Sequence, residues 1–222
     1  MRLILVRHGA VDPPRPKTFY GGTEVPLSED GRAEATAAAG ALKSWRLDHV
    51  VCSPLSRARY GAERIVEGRG LKDAPELAEH FREINRGRWV GWTQEEIRAR
   101  WPGDLEAHAR DAHEWRGHAG ESLGDLRRRV LEGRSRLEDQ WRGRVVAVVA
   151  HLYPIRALAA EASGQGLDAW ESMKVPTGSI TLIERTGDGW RLALLGWKPG
   201  GESVLPGFST EFSTDLPTKA SE

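Results

Sequence analysis

Val145-Val146-Ala147-Val148-Val149-Ala150, ending on His151, is the run on which the fold turns. It carries no charge and is apolar at both alternating sets of positions. That pattern predicts a strand covered on both faces, central in a parallel sheet. Upstream, Ser122 precedes Leu123, Leu126, Val130 and Leu137 at helical spacing, predicting a capped amphipathic helix to about Trp141. Downstream, Tyr153 to about Ala162 reads as another helix. A helix on either side of a buried strand is the repeating unit of a sheet with both faces covered.

The same alternation extends outward. Leu3 to Val6 is a strand, and Ser28 caps an alanine-rich helix with Glu29 and Asp30 in its first turn, running to about Trp45. His49 to Cys52 is a second strand, and Pro54 stands where the next helix would start, continuing to about Glu67. Near the end, Ser179 to Glu184 and Arg191 to Leu195 flank Gly187-Asp188-Gly189, predicting a β-hairpin at the sheet edge. Residues 84–120 break the pattern. Rich in Trp, Arg, His and Gly, with one short helix around Gln94 to Trp101, they read as a cap over a site. The expected class is α/β: a three-layer sandwich, a mostly parallel central sheet with helices on both faces, and an inserted cap. A single domain over residues 1–207 is expected, with 208–222 a loose polar tail.

Composition narrows the function classes. The 222 residues, 39% hydrophobic, can bury one sizeable core. The 32 basic and 32 acidic side chains cancel, so no global field favours nucleic acid or an anionic membrane. Neither is expected as a partner. One cysteine, Cys52, excludes an internal disulfide and any multi-thiolate metal site, which fits a reducing compartment. MRLILVRHG is too short an apolar run for a signal peptide, and no stretch approaches the roughly 20 apolar residues of a membrane span. A soluble cytoplasmic protein is expected.

The polar residues that follow the strands carry the chemistry. Val6 runs into Arg7-His8-Gly9, Cys52 into Ser53-Pro54-Leu55-Ser56-Arg57, and Ala150 into His151. Ligands of open α/β sheets bind beyond the carboxyl ends of strands, so these residues converge although they are distant in sequence. Two arginines and two histidines there form an anion pocket, because a guanidinium presents paired planar donors to phosphate oxygens. Helix starts at Pro54 and after His151 would add backbone N–H groups.

With those residues in view, the chain resembles the histidine phosphatase superfamily, in the branch of the cofactor-dependent phosphoglycerate mutases and α-ribazole phosphatases. The resemblance lies in LVRHG at 5–9, YGGTEVPLSEDGRAEA at 20–35 and VCSPLSRARYGAE at 51–63. It continues in FREINRGRWVGWT at 81–93, AGESLGDLRRRV at 119–130 and VVAHLYPIRAL at 148–158. These blocks stand in family order. The resemblance implies that His8 is the nucleophile, that His151 donates to the phosphoryl oxygens, and that Glu83 is the acid that protonates the leaving oxygen and later activates water. It implies phosphate binding by Arg7, Arg57 and the backbone of Leu152, and a substrate contact from Tyr20, Gly21 and Gly22. No metal and no cofactor are required. The implied reaction is hydrolysis of a small phosphorylated metabolite through a phosphohistidine.

The chain departs from the family pattern in places. Pro14 stands where the mutases carry an asparagine, leaving Arg15 or Lys17 as candidates for that phosphate contact, and Leu152 replaces a glycine after the second histidine. The Pro-rich loop with Tyr20-Gly21-Gly22, and Pro154-Ile155-Arg156, look most like the α-ribazole phosphatases, whose substrate is a nucleotide-like 5′-phosphate. A 2,3-bisphosphoglycerate-dependent mutase is the runner-up, disfavoured because GRWVGWT follows Glu83 without a longer basic insertion. A phosphate-binding scaffold is the non-enzymatic alternative. Glu121 is expected to support the helix start at Ser122. His108, His113 and His118 lack the spacing of a metal set and are expected on a solvated cap surface. Trp89 and Trp92 are candidates to line the substrate mouth. The exposed edge of the final hairpin permits a homodimer.

Overall fold

A computed structural model of the chain describes residues 1–71 and 73–200. Six strands form one sheet in the order β3-β2-β4-β1-β5-β6. They are β1 (Arg2–Arg7), β2 (His49–Cys52), β3 (Glu76–Leu77), β4 (Val145–Ala150), β5 (Ile180–Thr186) and β6 (Gly189–Trp197). β1, β2, β3 and β4 run parallel, while β5 and β6 form the antiparallel edge. β4 lies between β2 and β1 and is buried along its whole length, which is why its sequence is uninterruptedly apolar.

Alternate residues of the strands feed two separate cores. Ile4, Val6, Cys52, Ala147 and Val149 pack under α1 (Glu29–Ala41) and α2 (Ser56–Arg69). Leu3, Leu5, Val51, Val146 and Val148 pack under α5 (Leu123–Gln140) and α6 (Leu152–Ala162). The three-layer arrangement follows from this side-chain period of two. Alanines on α1 and Gly61 on α2 keep the first layer thin; a β-carbon at Gly61 would meet Val149 Cγ1 at 3.3 Å.

Several boundaries differ from the sequence reading, each for a local reason. α1 begins after Ser28, whose hydroxyl accepts from the Gly31 N–H at 3.1 Å, but stops at Ala41 rather than near Trp45. Tight turns from Gly40 to Lys43 and Leu42 to Trp45 end it and let Trp45 reach the core. α2 begins at Ser56, because Ser53 continues the ladder through its N–H to Val149 O and Pro54 holds its predecessor extended. In the cap, α3 (Gln94–Arg100) carries the Thr93 and Glu96 capping box. α4 (Asp104–Arg110) was not anticipated: it starts on Gly103 in the left-handed region, with no side-chain cap to announce it. The two-residue β3 also escaped the sequence reading. The tail assigned to 208–222 lies outside the described residues. Among those described, no helix is long and apolar enough to cross a membrane.

Candidate active site

The register of the two central strands creates the site. Arg7 pairs with Ala150 at the carboxyl ends of β1 and β4, and the His8 N–H continues the ladder to Ala150 O at 3.0 Å. His8 and His151 are therefore neighbours, with ring centroids 5.0 Å apart. Both are buried.

His8 Nδ1 lies 2.7 Å from the carbonyl oxygen of Gly9. A carbonyl can only accept, so Nδ1 carries the hydrogen, and a neutral ring then bears its lone pair on Nε2. Neutrality is strongly favoured. Burial, then the charges of Arg57 and Arg7, push the His8 pKa down to about 3 against the opposing pull of the Gly9 bond. Desolvation is the largest of these causes, ahead of either arginine. Gly9 itself is fixed by crowding, since a β-carbon there would lie 1.9 Å from Gly31 O at the start of α1.

His151 caps the N-terminus of α6, and its Nε2 is hydrogen-bonded to Ser53 Oγ at 2.7 Å. Burial, then His8 and the two arginines, holds its pKa well below the ordinary histidine value. Leu152 is the first residue of α6, and the N–H groups of a first helical turn lack intrahelical acceptors. Its φ is not positive, so the β-carbon that replaces the family's glycine hydrogen fits without backbone strain. At the start of α2, Glu24 already takes the N–H and hydroxyl of Ser56.

Arg57 is fully buried and donates from Nη1 to Thr23 O at 2.6 Å and from Nη2 to Gly21 O at 2.8 Å. Arg7 donates from Nη1 to Val175 O at 2.6 Å. The buried Nε of each, and Nδ1 of His151, have no acceptor among the described residues. These groups are donors or potential donors close to two histidines, and an anion would satisfy them.

Glu83 faces the same cluster, 8% exposed, with its Oε1 accepting from the Ile84 N–H at 2.9 Å. Burial raises its pKa, opposed by that N–H and by Arg7, Arg86 and Arg57. A carboxyl kept protonated toward neutral pH can give a proton to a leaving oxygen. Behind it, Glu121 accepts from Arg129 Nε and Nη2, both at 2.8 Å, and from the Asn85 N–H at 2.9 Å. Arg129 Nη1 also donates to the carbonyls of His80 and Arg82. Glu121 is thus structural, and what it braces is the segment carrying Glu83 as well as α5.

Tyr20, Gly21 and Gly22 lie against Glu83 and Arg57. Gly21 has φ of +44°, and a β-carbon on it would meet Ile84 O at 2.5 Å. The Tyr20 ring lies 5.4 Å from the Arg57 guanidinium. The turn therefore anchors Arg57 through its carbonyls, a task the sequence did not reveal. Arg15 is turned toward the cap, paired with Glu96 at 2.5 Å, and Lys17 lines a surface cavity with Phe19 and Gln94.

Two cap expectations are corrected. His118 is fully buried rather than solvated, packed on Trp89 at 4.7 Å and Trp115 at 5.0 Å, and burial lowers its pKa to about 4. Trp89 lies in the interior of the cap with its Nε1 donating to Asp104 at 3.2 Å, so it does not line a mouth. Trp92 is half-buried, beneath the Arg100 guanidinium at 3.7 Å. Among the described residues, no group of three His, Cys, Asp or Glu side chains could hold a metal ion. Sequence reasoning missed Arg86 and Tyr153, whose side chains meet beside Glu83 and His151.

A sequence model described as the histidine phosphatase superfamily (branch 1) matches residues 3–198. Phosphoserine phosphatase 1 of Hydrogenobacter thermophilus is 29% identical over 183 residues, covering 82% of this chain and 86% of the relative. The 2,3-bisphosphoglycerate-dependent phosphoglycerate mutase of Methylobacterium radiotolerans is 35% identical over 189 residues, covering 82% and 88%. The crystal structure of the α-ribazole phosphatase from Shigella flexneri superposes with a TM-score of 0.80, covering 94% of this chain and 100% of that one. At 21% identity, that likeness is one of fold.

Proposed function

The chain belongs to branch 1 of the histidine phosphatase superfamily, and from that premise we propose that it is a metal-independent phosphatase that hydrolyses a small phosphomonoester through a phosphohistidine on His8. The observation that carries this reading is the buried, neutral His8 whose Nδ1–H is committed to Gly9 O beside two buried arginines.

In the first step the Nε2 lone pair of His8 forms a bond to phosphorus while the bond to the leaving oxygen breaks. Protonated Glu83 gives that oxygen its proton. Arg7, Arg57, the Leu152 N–H and His151 hold the three equatorial oxygens, supplying the charge stabilisation that a metal supplies elsewhere. The Gly9 carbonyl stabilises the cationic phosphorylated ring through Nδ1–H. In the second step the Glu83 carboxylate takes a proton from water as its oxygen attacks phosphorus and the N–P bond breaks. Phosphate leaves, with His8 neutral and Glu83 protonated again.

A phosphoglycerate mutase reading is favoured by the 35% identity to a protein of that name. It would use the same phosphohistidine but return the phosphoryl group to a bound hydroxy acid instead of water. The test is to incubate the protein and a His8→Ala variant with p-nitrophenyl phosphate in excess EDTA. A panel including α-ribazole phosphate and 3-phosphoglycerate then follows, with 2-phosphoglycerate assayed as a product. EDTA-resistant phosphate release that vanishes in the variant supports the phosphatase. Interconversion of phosphoglycerates without net phosphate release supports the mutase, and binding of phosphate with no turnover of any substrate would leave a scaffold.

A further inference from the structure

Among the described residues, Arg86 is a nearly buried cationic side chain beside the candidate site to which the proposed chemistry gives no task. It is 4% exposed, yet no described carboxylate or carbonyl receives a hydrogen bond from it. Its guanidinium instead lies 4.8 Å from the ring centre of Tyr153 and 5.6 Å from that of Phe19. Its nitrogens, unlike Nε of Arg7 and of Arg57, are not both sealed from solvent and unpartnered, so aromatic faces hold the cation while its donors stay accessible to a ligand. Contacts on ring faces leave the N–H groups, which lie in the guanidinium plane, free to donate.

Its surroundings fix both its position and its side of the site. Gly21 packs beneath the stem, where a β-carbon would lie 2.9 Å from Arg86 Cγ. Tyr153 follows His151 by two residues on α6, Phe19 precedes Tyr20, and Arg86 follows Glu83 by three. The guanidinium is close enough to Glu83 to pull its pKa down against burial. Glu83 is the group that meets the leaving oxygen in the proposed reaction, so Arg86 stands on the leaving-group side of the phosphoryl site. Tyr153 also borders a cavity of about 470 Å³ lined by His108, Arg156 and Trp170.

We propose that Arg86 receives a carboxylate of the leaving group, so that the preferred substrates are phosphomonoesters of small hydroxy acids. A single guanidinium fork matches one carboxylate bidentately, whereas a second phosphoryl dianion would call for several cations, as Arg7 and Arg57 provide at the first. The inference rests on the phosphatase reading for the orientation of the substrate.

The test compares O-phosphoserine with O-phosphoethanolamine, which differ by the carboxylate, in the wild type and in Arg86→Met and Arg86→Lys. A charge-assisted bidentate pair predicts a ratio of kcat/KM favouring phosphoserine by roughly tenfold or more in the wild type. Arg86→Met should collapse this ratio toward one, chiefly through KM, and Arg86→Lys should restore part of it. Any effect of Arg86 on Glu83 or on folding acts on both substrates and cancels in the ratio. An unchanged ratio in Arg86→Met, or no preference in the wild type, overturns the inference. Calorimetric binding of 2-amino-4-phosphonobutyrate and 3-aminopropylphosphonate, which cannot be hydrolysed, reads the same contact without turnover. Arg86-dependent preference for the carboxylated phosphonate in a protein that hydrolyses nothing would retain Arg86 and sink the phosphatase. Hydrolysis by a protein that binds both phosphonates equally would do the reverse.

Discussion

Replacing His8 with Asn tests the electrostatics of the site through the stability of the whole protein. His8 is 3% exposed and its pKa falls from 6.5 to about 3 on folding, so the unfolded chain takes up a proton at this position over a range where the folded chain does not. Stability therefore stands at its full value above pH 6.5 and is lost as pH falls toward 3. Within that window each pH unit costs about 1.4 kcal/mol. Going from pH 7 to 4.5 should cost the wild type about 3 kcal/mol through His8 alone. Asparagine offers an amide donor to Gly9 O and does not titrate, so His8→Asn should escape this part of the loss while His151 continues to contribute its own. Urea unfolding at pH 7 and 4.5, in buffers free of phosphate, measures the difference. The wild-type midpoint should fall further than the variant's by about 1 M urea, given an m-value of roughly 2–3 kcal/mol/M. If both proteins lose the same stability between the two pH values, His8 is not held neutral by burial, and the account of its nucleophilicity fails with it.

Two further outcomes follow from the geometry. Glu83→Gln should lower kcat on an alkyl phosphate by about 10²–10⁴ and abolish the fall in rate expected of the wild type as pH rises through the elevated Glu83 pKa. On p-nitrophenyl phosphate, whose phenolate leaves without a proton, the same variant should release one equivalent in a burst and then stall; a proportionate loss with no burst would remove Glu83 from the second step. Gly9→Ala places a β-carbon 1.9 Å from backbone oxygen, so the loop and α1 must separate, at a cost of about 3 kcal/mol or more, carrying the acceptor of His8 Nδ1 with them. Thermal melting and turnover read both effects, and a variant with wild-type values for each would contradict the crowding.

The amino-acid sequence determined the architecture where burial on both faces demands it. The strands β1, β2 and β4 and the helices α1, α2, α5 and α6 were legible because continuous apolar runs and helical spacing are local properties of the chain. Also legible was the convergence of His8, Arg57 and His151, since strands of one parallel sheet end at the same edge. The two-residue β3 and the uncapped α4 were not, because no local signal distinguishes them from loop. Residues 84–120 misled in a consistent way: His118 and Trp89 sit in a segment whose composition reads as surface, and only their contacts with Trp115 and His108 put them inside. Arg86 is the clearest case. An arginine in a loop is ordinarily solvated, and its burial depends on Phe19 and Tyr153, one distant on either side in sequence. Tertiary structure alone decided the register that sets two imidazoles 5.0 Å apart and the desolvation that keeps them neutral, because both depend on which atoms replace water around a group, and no single segment of the chain supplies those atoms.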